Sequence, residues 1–141
     1  MGEDHGILFL MKLIVDRAST LFASRTECPV TAAQGRVLMY MLRQAPRAVT
    51  QRELEKYMGV SHATMTGLIE RIEAKGYVRT AFDGRDGRVK NVRLTEAVRT
   101  DHERVAGLLE ELDNEVLGGL SKGDKKELLR MLEKMYENIS K

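Results

Sequence analysis

Residues 50–78 read TQRELEKYMGVSHATMTGLIERIEAKGYV, and this stretch decides the fold. Thr50 and Glu53 have the spacing of a capping box, which predicts the start of a short helix. Gly59 is a natural left-handed stop for that helix, and Ser61 is a typical N-cap for a second one. Two short helices joined by a glycine-containing turn predict a helix-turn-helix, whose second helix enters the major groove of DNA.

The second helix of this pair separates into an apolar side and a side of small residues. Its apolar side is formed by Met65, Leu68, Ile69 and Ile72. On the other side, Ala63 and the methyl group of Thr66 suit thymine methyl groups, and Arg71 lies on the flank, within reach of the DNA backbone. The side chains predicted to contact DNA from this helix are Ser61, His62, Ala63, Thr64, Thr66, Gly67 and Arg71. An alternative is that these small residues are simply exposed on a helix-turn-helix that binds protein.

A change from helical to alternating periodicity follows Gly76 and predicts a β-hairpin. Residues 77–82 and 89–94 alternate like strands, and the turn-forming sequence DGRDGR separates them. Residues 71–93 hold seven basic and three acidic side chains, whereas the whole chain has a net charge of only +2. The hairpin is therefore predicted to be a basic wing that reaches the phosphate backbone or the minor groove. Its candidate contacts are Arg85, Arg88 and Lys90, with Asp86 among them.

Amphipathic helices are predicted on both sides of this region. The first covers about residues 5–25, and the next starts at a capping box formed by Thr31 and Gln34. After the hairpin, Thr95 is predicted to cap a long helix, and Ser121 opens the last one. The seams of the two terminal helices consist of Ile7, Met11, Ile14, Ala18 and Leu21 and of Leu128, Leu132, Met135 and Ile139. These seams predict a homodimer, although closure of one seam on the other within a single subunit is an alternative.

Taken together, these patterns predict a mainly α fold with a small β-hairpin wing. The chain of 141 residues is expected to form a single domain, 1–141. Its winged helix-turn-helix lobe covers about 31–95, and its dimerisation helices cover about 5–25 and 96–140. Since no apolar run approaches the roughly 20 residues of a membrane span and no signal-peptide pattern is present, a cytoplasmic protein is expected.

Other classes of chemistry find little support in the sequence. It shows no Ser/His/Asp constellation, glycine-rich phosphate loop or paired-carboxylate motif, so an enzyme is not expected. His5, His62 and His102 are too scattered for a metal motif, and no cofactor is expected. Cys28 stands just before Pro29 in a connection between helices, which favours a bystander thiol over a redox sensor.

The whole chain resembles the MarR (multiple antibiotic resistance regulator) family. Its sequence DGRVKNVRLT, residues 86–95, is similar to the wing signature of that family, Asp-x-Arg followed by Leu-Thr. The segment Thr31–Gln34 and the stretch from Val60 to Val78 resemble the family's second helix and recognition segment. The resemblance implies a dimer with interleaved termini, and an arginine at Arg88 that enters the minor groove while Asp86 orients it. Gly67 departs from the pattern, since many members carry a basic residue there.

The expected function is that of a sequence-specific DNA-binding transcription regulator. The resemblance implies a ligand- or stress-responsive repressor that binds a palindromic operator as a homodimer. It also implies an effector, often a phenolic or other aromatic acid, in a pocket between the dimerisation helices and the DNA-binding lobe. The alternative is a winged-helix architectural or protein-interaction module, which would show no strong preference for one DNA sequence.

Overall fold

The computed structural model contains six helices and three short strands in its described residues, which are 6–26, 30–85 and 87–140 without the side chains of residues 99 and 100. The predicted fold class, helices with a small β wing, is confirmed. In chain order the elements are α1 (Ile7–Arg25), α2 (Ala32–Gln44), β1 (Val49–Thr50), α3 (Gln51–Met58), α4 (His62–Ala74), β2 (Val78–Phe82), β3 (Lys90–Leu94), α5 (Ala97–Val116) and α6 (Lys122–Ile139).

Capping side chains fix where three of the helices begin. Both hydrogen bonds of the predicted capping box between Thr31 and Gln34 are present at the start of α2. The Ser61 side chain caps α4, and Ser121 forms a capping box at the start of α6. Gly59 ends α3 with φ 64°, the left-handed conformation that glycine adopts without steric cost. Local chemistry thus sets the turn between the two short helices.

Two predicted caps differ in the structure. At α3, Thr50 accepts a hydrogen bond from the backbone N–H of Glu53, but the Glu53 carboxylate bonds elsewhere and does not complete the box. At α5, the N-cap is Glu96 and makes no side-chain cap, so the prediction that Thr95 caps this helix is wrong. The Thr95 hydroxyl instead donates to the backbone carbonyl of Gly76, which ties the end of β3 to the turn that follows α4.

The Glu53 carboxylate joins α2 to α3. It accepts hydrogen bonds from both terminal nitrogens of Arg47, at 2.9 and 2.7 Å, and from the hydroxyl of Tyr40 at 2.5 Å. These bonds, that of Arg47 first, lower the pKa of Glu53 to about 2, and the same carboxylate raises the pKa of Tyr40. Tyr40 belongs to α2 and Arg47 to the connection that follows it, so the carboxylate ties α3 to α2 and, through the directional two-nitrogen contact, to the segment that leads into β1.

The sheet contains a strand that the sequence did not predict. β1 pairs antiparallel with β3, and β3 pairs antiparallel with β2, which gives the order β1-β3-β2. Val49 of β1 faces Val92 of β3, and both are fully buried. The base of the wing is therefore anchored in the hydrophobic core, while the wing itself projects from it.

The buried residues form one cluster, which runs from the contact of α5 with α1 and α2 into α3, α4 and the three strands. Helices α1 and α5 both approach α2 closely at Gly35. A Cβ atom placed on Gly35 would lie 3.1 Å from Cγ1 of Val105 in α5 and 3.8 Å from Cζ of Phe22 in α1. Near the C-terminal ends of α1 and α5, Arg25 of α1 forms an ion pair with Glu115 of α5. Helices α1 and α5 consequently share one core with α2, α3, α4 and the sheet, whereas α6 contributes no buried residue to it.

Candidate nucleic-acid interface

Helix α4 presents the two faces that its sequence predicted. The side chains of Met65, Leu68, Ile69 and Ile72 are buried. The first turn, residues 61–64, is exposed, as expected for the part of a recognition helix that approaches base edges. Burial of the apolar face fixes the rotation of α4 and therefore decides which side chains point outward.

The hydroxyls of the first turn have different tasks. Ser61 Oγ accepts a hydrogen bond from the backbone N–H of Thr64 at 3.2 Å and donates to Thr64 Oγ1 at 3.0 Å. Since its hydrogen is already used, Ser61 serves as the cap. Thr64 Oγ1 accepts that bond, so its own hydrogen suits donation to a phosphate or base, and the DNA contacts predicted for Ser61 and Thr64 both stay predictions.

A polar network from α3 holds the start of α4. Gln51, which is buried, donates from Nε2 to Thr66 Oγ1 at 2.8 Å, and Thr66 Oγ1 donates to the backbone carbonyl of His62 at 2.9 Å. Because the Thr66 hydroxyl is used in this way, its methyl group is the part left for a thymine contact. Nδ1 of His62 lies 2.9 Å from Oε2 of Glu55.

A groove of about 910 Å³ separates the start of α4 from the wing. We name it the recognition groove; its lining residues are Thr50, Gln51, Arg52, Glu55, His62, Thr66, Phe82, Arg88, Val89 and Lys90. It brings together four of the predicted contacts, His62, Thr66, Arg88 and Lys90. Helix α4 and the wing thus face a common space in which a duplex would meet both.

The remaining predicted contacts that the structure describes lie outside the lining of this groove. Ala63 is exposed on α4. Arg85 is exposed at the wing turn, where its backbone N–H donates to Asp83 Oδ1 at 2.8 Å. Asp86 lies outside the described residues, as do His5 and Cys28. Their predicted roles therefore stay predictions.

Gly67 provides the surface on which Arg71 lies. A Cβ atom placed on Gly67 would be 3.5 Å from Nη1 of Arg71, one helical turn further along α4. The guanidinium therefore covers the position where the resemblance described above implies a basic side chain. This arrangement supplies a cation to the face of α4 from a different position.

The groove lining also contains residues that were not predicted from the sequence, namely Gln51, Arg52 and Glu55 of α3 and Phe82 of β2. The spacing of Gln51 and Glu55, four residues apart, places both on one face of α3 and was the available signal. That spacing does not reveal what Gln51 and Glu55 contact, because their contacts depend on how α3 packs against α4.

A second cavity, of about 560 Å³, lies between α2, α3 and α5, and we name it the interhelical pocket. Its lining residues are Arg36, Met39, Leu42, Arg43, Tyr57, His102, Ala106, Leu109, Glu110, Asp113 and Asn114. Arg43 donates a hydrogen bond of 3.0 Å to the Tyr57 hydroxyl. The Tyr57 ring stacks on the ring of Tyr40, with 4.2 Å between the ring centroids. The pocket therefore combines apolar walls with arginine side chains, between the dimerisation region and the lobe.

The described residues were compared with the requirements of a metal site and of a membrane-spanning helix. Among the described residues, no three His, Cys, Asp or Glu side chains come together as a metal site would require. In the same part of the chain, no helix combines the length and apolarity needed to cross a bilayer.

Comparisons with known proteins point in one direction. A model of the MarR family matches residues 29–89. The structure is similar to a probable transcriptional regulator from Pseudomonas aeruginosa, with 25% identity, a TM-score of 0.82 and coverage of 94% of this chain and 98% of that one. It is also similar to Bordetella bronchiseptica BpsR, whose DNA binding is regulated by 6-hydroxynicotinic acid (26%, 0.81, 96% of each chain). The fold matches S. aureus MepR in complex with DNA (21%, 0.87, 96% of this chain and 99% of that one).

Replacement of Gly67 by alanine is expected to stabilise the protein. The new methyl group meets only the flexible end of Arg71, and alanine favours a helix interior over glycine, so Gly67→Ala should raise the free energy of unfolding by up to about 1 kcal/mol. Urea denaturation followed by circular dichroism measures this. Gly35→Ala is the matched control: its Cβ would lie 3.1 Å from Val105 Cγ1 in the core, so it should bring no gain. A loss of stability in Gly67→Ala would contradict the position of Arg71.

Proposed function

We propose that the chain is a MarR-family, sequence-specific transcription regulator, a repressor that binds a palindromic operator as a homodimer in the cytoplasm. The observation that carries this proposal is the recognition groove, where the first turn of α4 and the wing face one space. A helix for the major groove beside a wing for the backbone or minor groove is the arrangement that a duplex requires.

The charge of the groove supports DNA as the partner. Arg52, Arg88 and Lys90 supply cations to it, and Glu55, the carboxylate among its lining residues, is engaged with His62. Concentrated in this way, the cations neutralise phosphates although the whole chain carries only +2. The net charge is thus compatible with tight DNA binding.

Exposed apolar side chains support the homodimer. In the single chain, Leu8 of α1 is 74% exposed and Ile139 of α6 is 83% exposed. Further large apolar side chains are exposed on the same two helices, namely Ile7, Phe9, Ile14, Val15, Leu129, Met131 and Tyr136. Patches of this kind mark association surfaces, and a two-fold axis would cover both helices at once.

Sedimentation velocity at micromolar concentration is expected to show a particle of about twice the 15.9 kDa mass of the chain. The double variant Leu8→Lys/Leu129→Lys should sediment as a monomer with unchanged helical circular dichroism, because both lysines would have to be buried in the dimer. Phe82→Ser is the control, since Phe82 is also exposed but lies in the wing. A wild-type monomer would rule out the dimer, and with it two half-sites about 10 bp apart.

We further propose that the interhelical pocket holds an organic effector with an acidic group. Arg43 offers the charge, since Arg36 is paired with Asp113 at 3.7 Å, and Met39 and Leu42 offer an apolar wall. An effector that releases DNA must bind the DNA-incompetent arrangement more tightly, and a pocket between the dimer helices and the lobe senses their relative position.

Titration calorimetry with benzoate as the probe is expected to show binding that weakens in Arg43→Ala. Benzoate should also lower operator affinity in the wild type and have less effect in the variant. Lys126→Ala, which removes a positive charge from exposed α6, is the control. Equal benzoate binding by wild type and Arg43→Ala would place the ligand elsewhere.

For the wing, Arg88→Ala is expected to keep the fold and weaken operator binding by about 1 to 3 kcal/mol per subunit. Asp86→Ala should also weaken binding, to a lesser degree, although it removes a negative charge. A wing that acts only as a diffuse positive surface predicts tighter binding for Asp86→Ala, so the sign decides. Fluorescence anisotropy at matched salt measures both, after selection of the operator from a random DNA pool. Unchanged affinity in Arg88→Ala would refute the role of the wing.

The selection also separates this function from the alternative. A regulator should enrich one short palindrome by orders of magnitude over bulk DNA. An architectural protein would bind with little preference, and a protein-interaction module would show no strong, salt-dependent affinity for DNA.

A further inference from the structure

His62 combines strong exposure with a fixed orientation. Its side chain is 79% exposed, at the first helical position after the Ser61 cap, where recognition helices meet base edges. Yet its Nδ1 lies 2.9 Å from Oε2 of Glu55, whose own side chain is only 18% exposed. An exposed imidazole that only contacted solvent would not need a half-buried carboxylate to hold it.

The partner of Nδ1 decides which ring nitrogen carries the hydrogen. An ionised carboxylate is an acceptor only, so Nδ1 must be the donor in this bond. Nε2 of Gln51 also lies 3.2 Å from Nδ1, but its hydrogens have acceptors in Thr66 Oγ1 at 2.8 Å and the carbonyl of His62 at 3.5 Å. With the hydrogen of the neutral ring on Nδ1, Nε2 carries a lone pair and is an acceptor.

The same bond occupies Nδ1 and leaves Nε2 as the ring nitrogen that can meet a partner. The His62 side chain is 79% exposed and lines the recognition groove, so a duplex seated there would meet this ring. The charged groups that face His62 there are Glu55 and Arg52 of α3 and Arg88 and Lys90 of the wing side. These cations suit phosphates, whereas Nε2 of the Nδ1–H tautomer offers a hydrogen-bond acceptor in the same groove.

We propose that Glu55 is a positioning residue that makes His62 Nε2 a hydrogen-bond acceptor, and that His62 thereby selects a base with an exocyclic amino group in the major groove. Adenine N6 and cytosine N4 are such donors, whereas guanine O6 and thymine O4 are acceptors that Nε2 would repel. The proposal rests on the proposed function, because it needs a specific duplex in the groove.

The test compares sequences selected from a random DNA pool at pH 7.5 by the wild type, His62→Ala, Glu55→Gln and Glu55→Ala. At one position of each half-site the wild type should enrich adenine or cytosine, and His62→Ala should show no preference there. Glu55→Gln should keep the preference, since its amide oxygen still accepts from Nδ1–H. In Glu55→Ala the preference should vanish or move to guanine, because the ring is then free to carry its hydrogen on Nε2.

A purely structural or electrostatic role for Glu55 gives different results. Loss of its negative charge alone should tighten binding to all sequences alike. We expect Glu55→Ala to bind non-specific DNA as well as or better than the wild type while losing base preference at that one position. Uniform tightening with an unchanged selected sequence would overturn the proposal.

Base analogues test the contact atom by atom. In the selected operator, purine replaces the contacted adenine, or 2-pyrimidinone replaces the contacted cytosine, so that only the amino group is removed. Wild-type affinity should fall about 5- to 20-fold per half-site, whereas His62→Ala should be unaffected. Equal losses in both proteins, or no loss in the wild type, would overturn the assignment to His62. If the wild type selects no sequence at all, the proposed regulatory function itself fails, which is a separate outcome.

Discussion

Close packing of three helices at Gly35 is the constraint on which the rest of the structure depends. A Cβ atom on this residue of α2 would lie 3.1 Å from Cγ1 of Val105 of α5, which would have to give way slightly, and in van der Waals contact with Phe22 of α1. Because interiors are packed as densely as crystals, such a contact leaves little freedom for sliding or rotation. It fixes the helices that would form a dimer to the first helix of the DNA-binding lobe.

Shorter-range contacts extend this fixed point to the recognition groove. Glu53 holds α3 to α2 through Arg47 and Tyr40, and Val49 holds the wing to the core through Val92. Gln51 then holds the first turn of α4 to α3. A shift of α1 and α5 would therefore move the groove as a unit, which suits the effector response proposed above.

Local chemistry was readable from the sequence, and long-range pairing was not. The caps at Thr31 and Ser61, the stop at Gly59 and the apolar face of α4 follow from spacing within a few residues, and each was predicted. The two-residue strand β1 has no periodicity of its own and exists because β3 lies beside it. Likewise, the side chains of Glu53 and Thr95 do not bond to the nearby backbone groups that a capping role requires. Glu53 binds Arg47, and Thr95 donates to the carbonyl of Gly76. The DNA contacts depend on a partner absent from one chain, so they stay predictions.

The exposed side of α4 carries two kinds of polar group, a flexible cation at Arg71 and an oriented imidazole at His62. Arg71 lies over Gly67 and is a long, mobile cation, suited to phosphates that are alike at every base pair. His62 is short and is held from behind by Glu55, so it suits a single base edge whose donor pattern differs between pairs. A mobile cation at the position of Gly67 would compete for the same space and add affinity for any sequence. Small residues on this face thus favour discrimination between sequences over strength of binding.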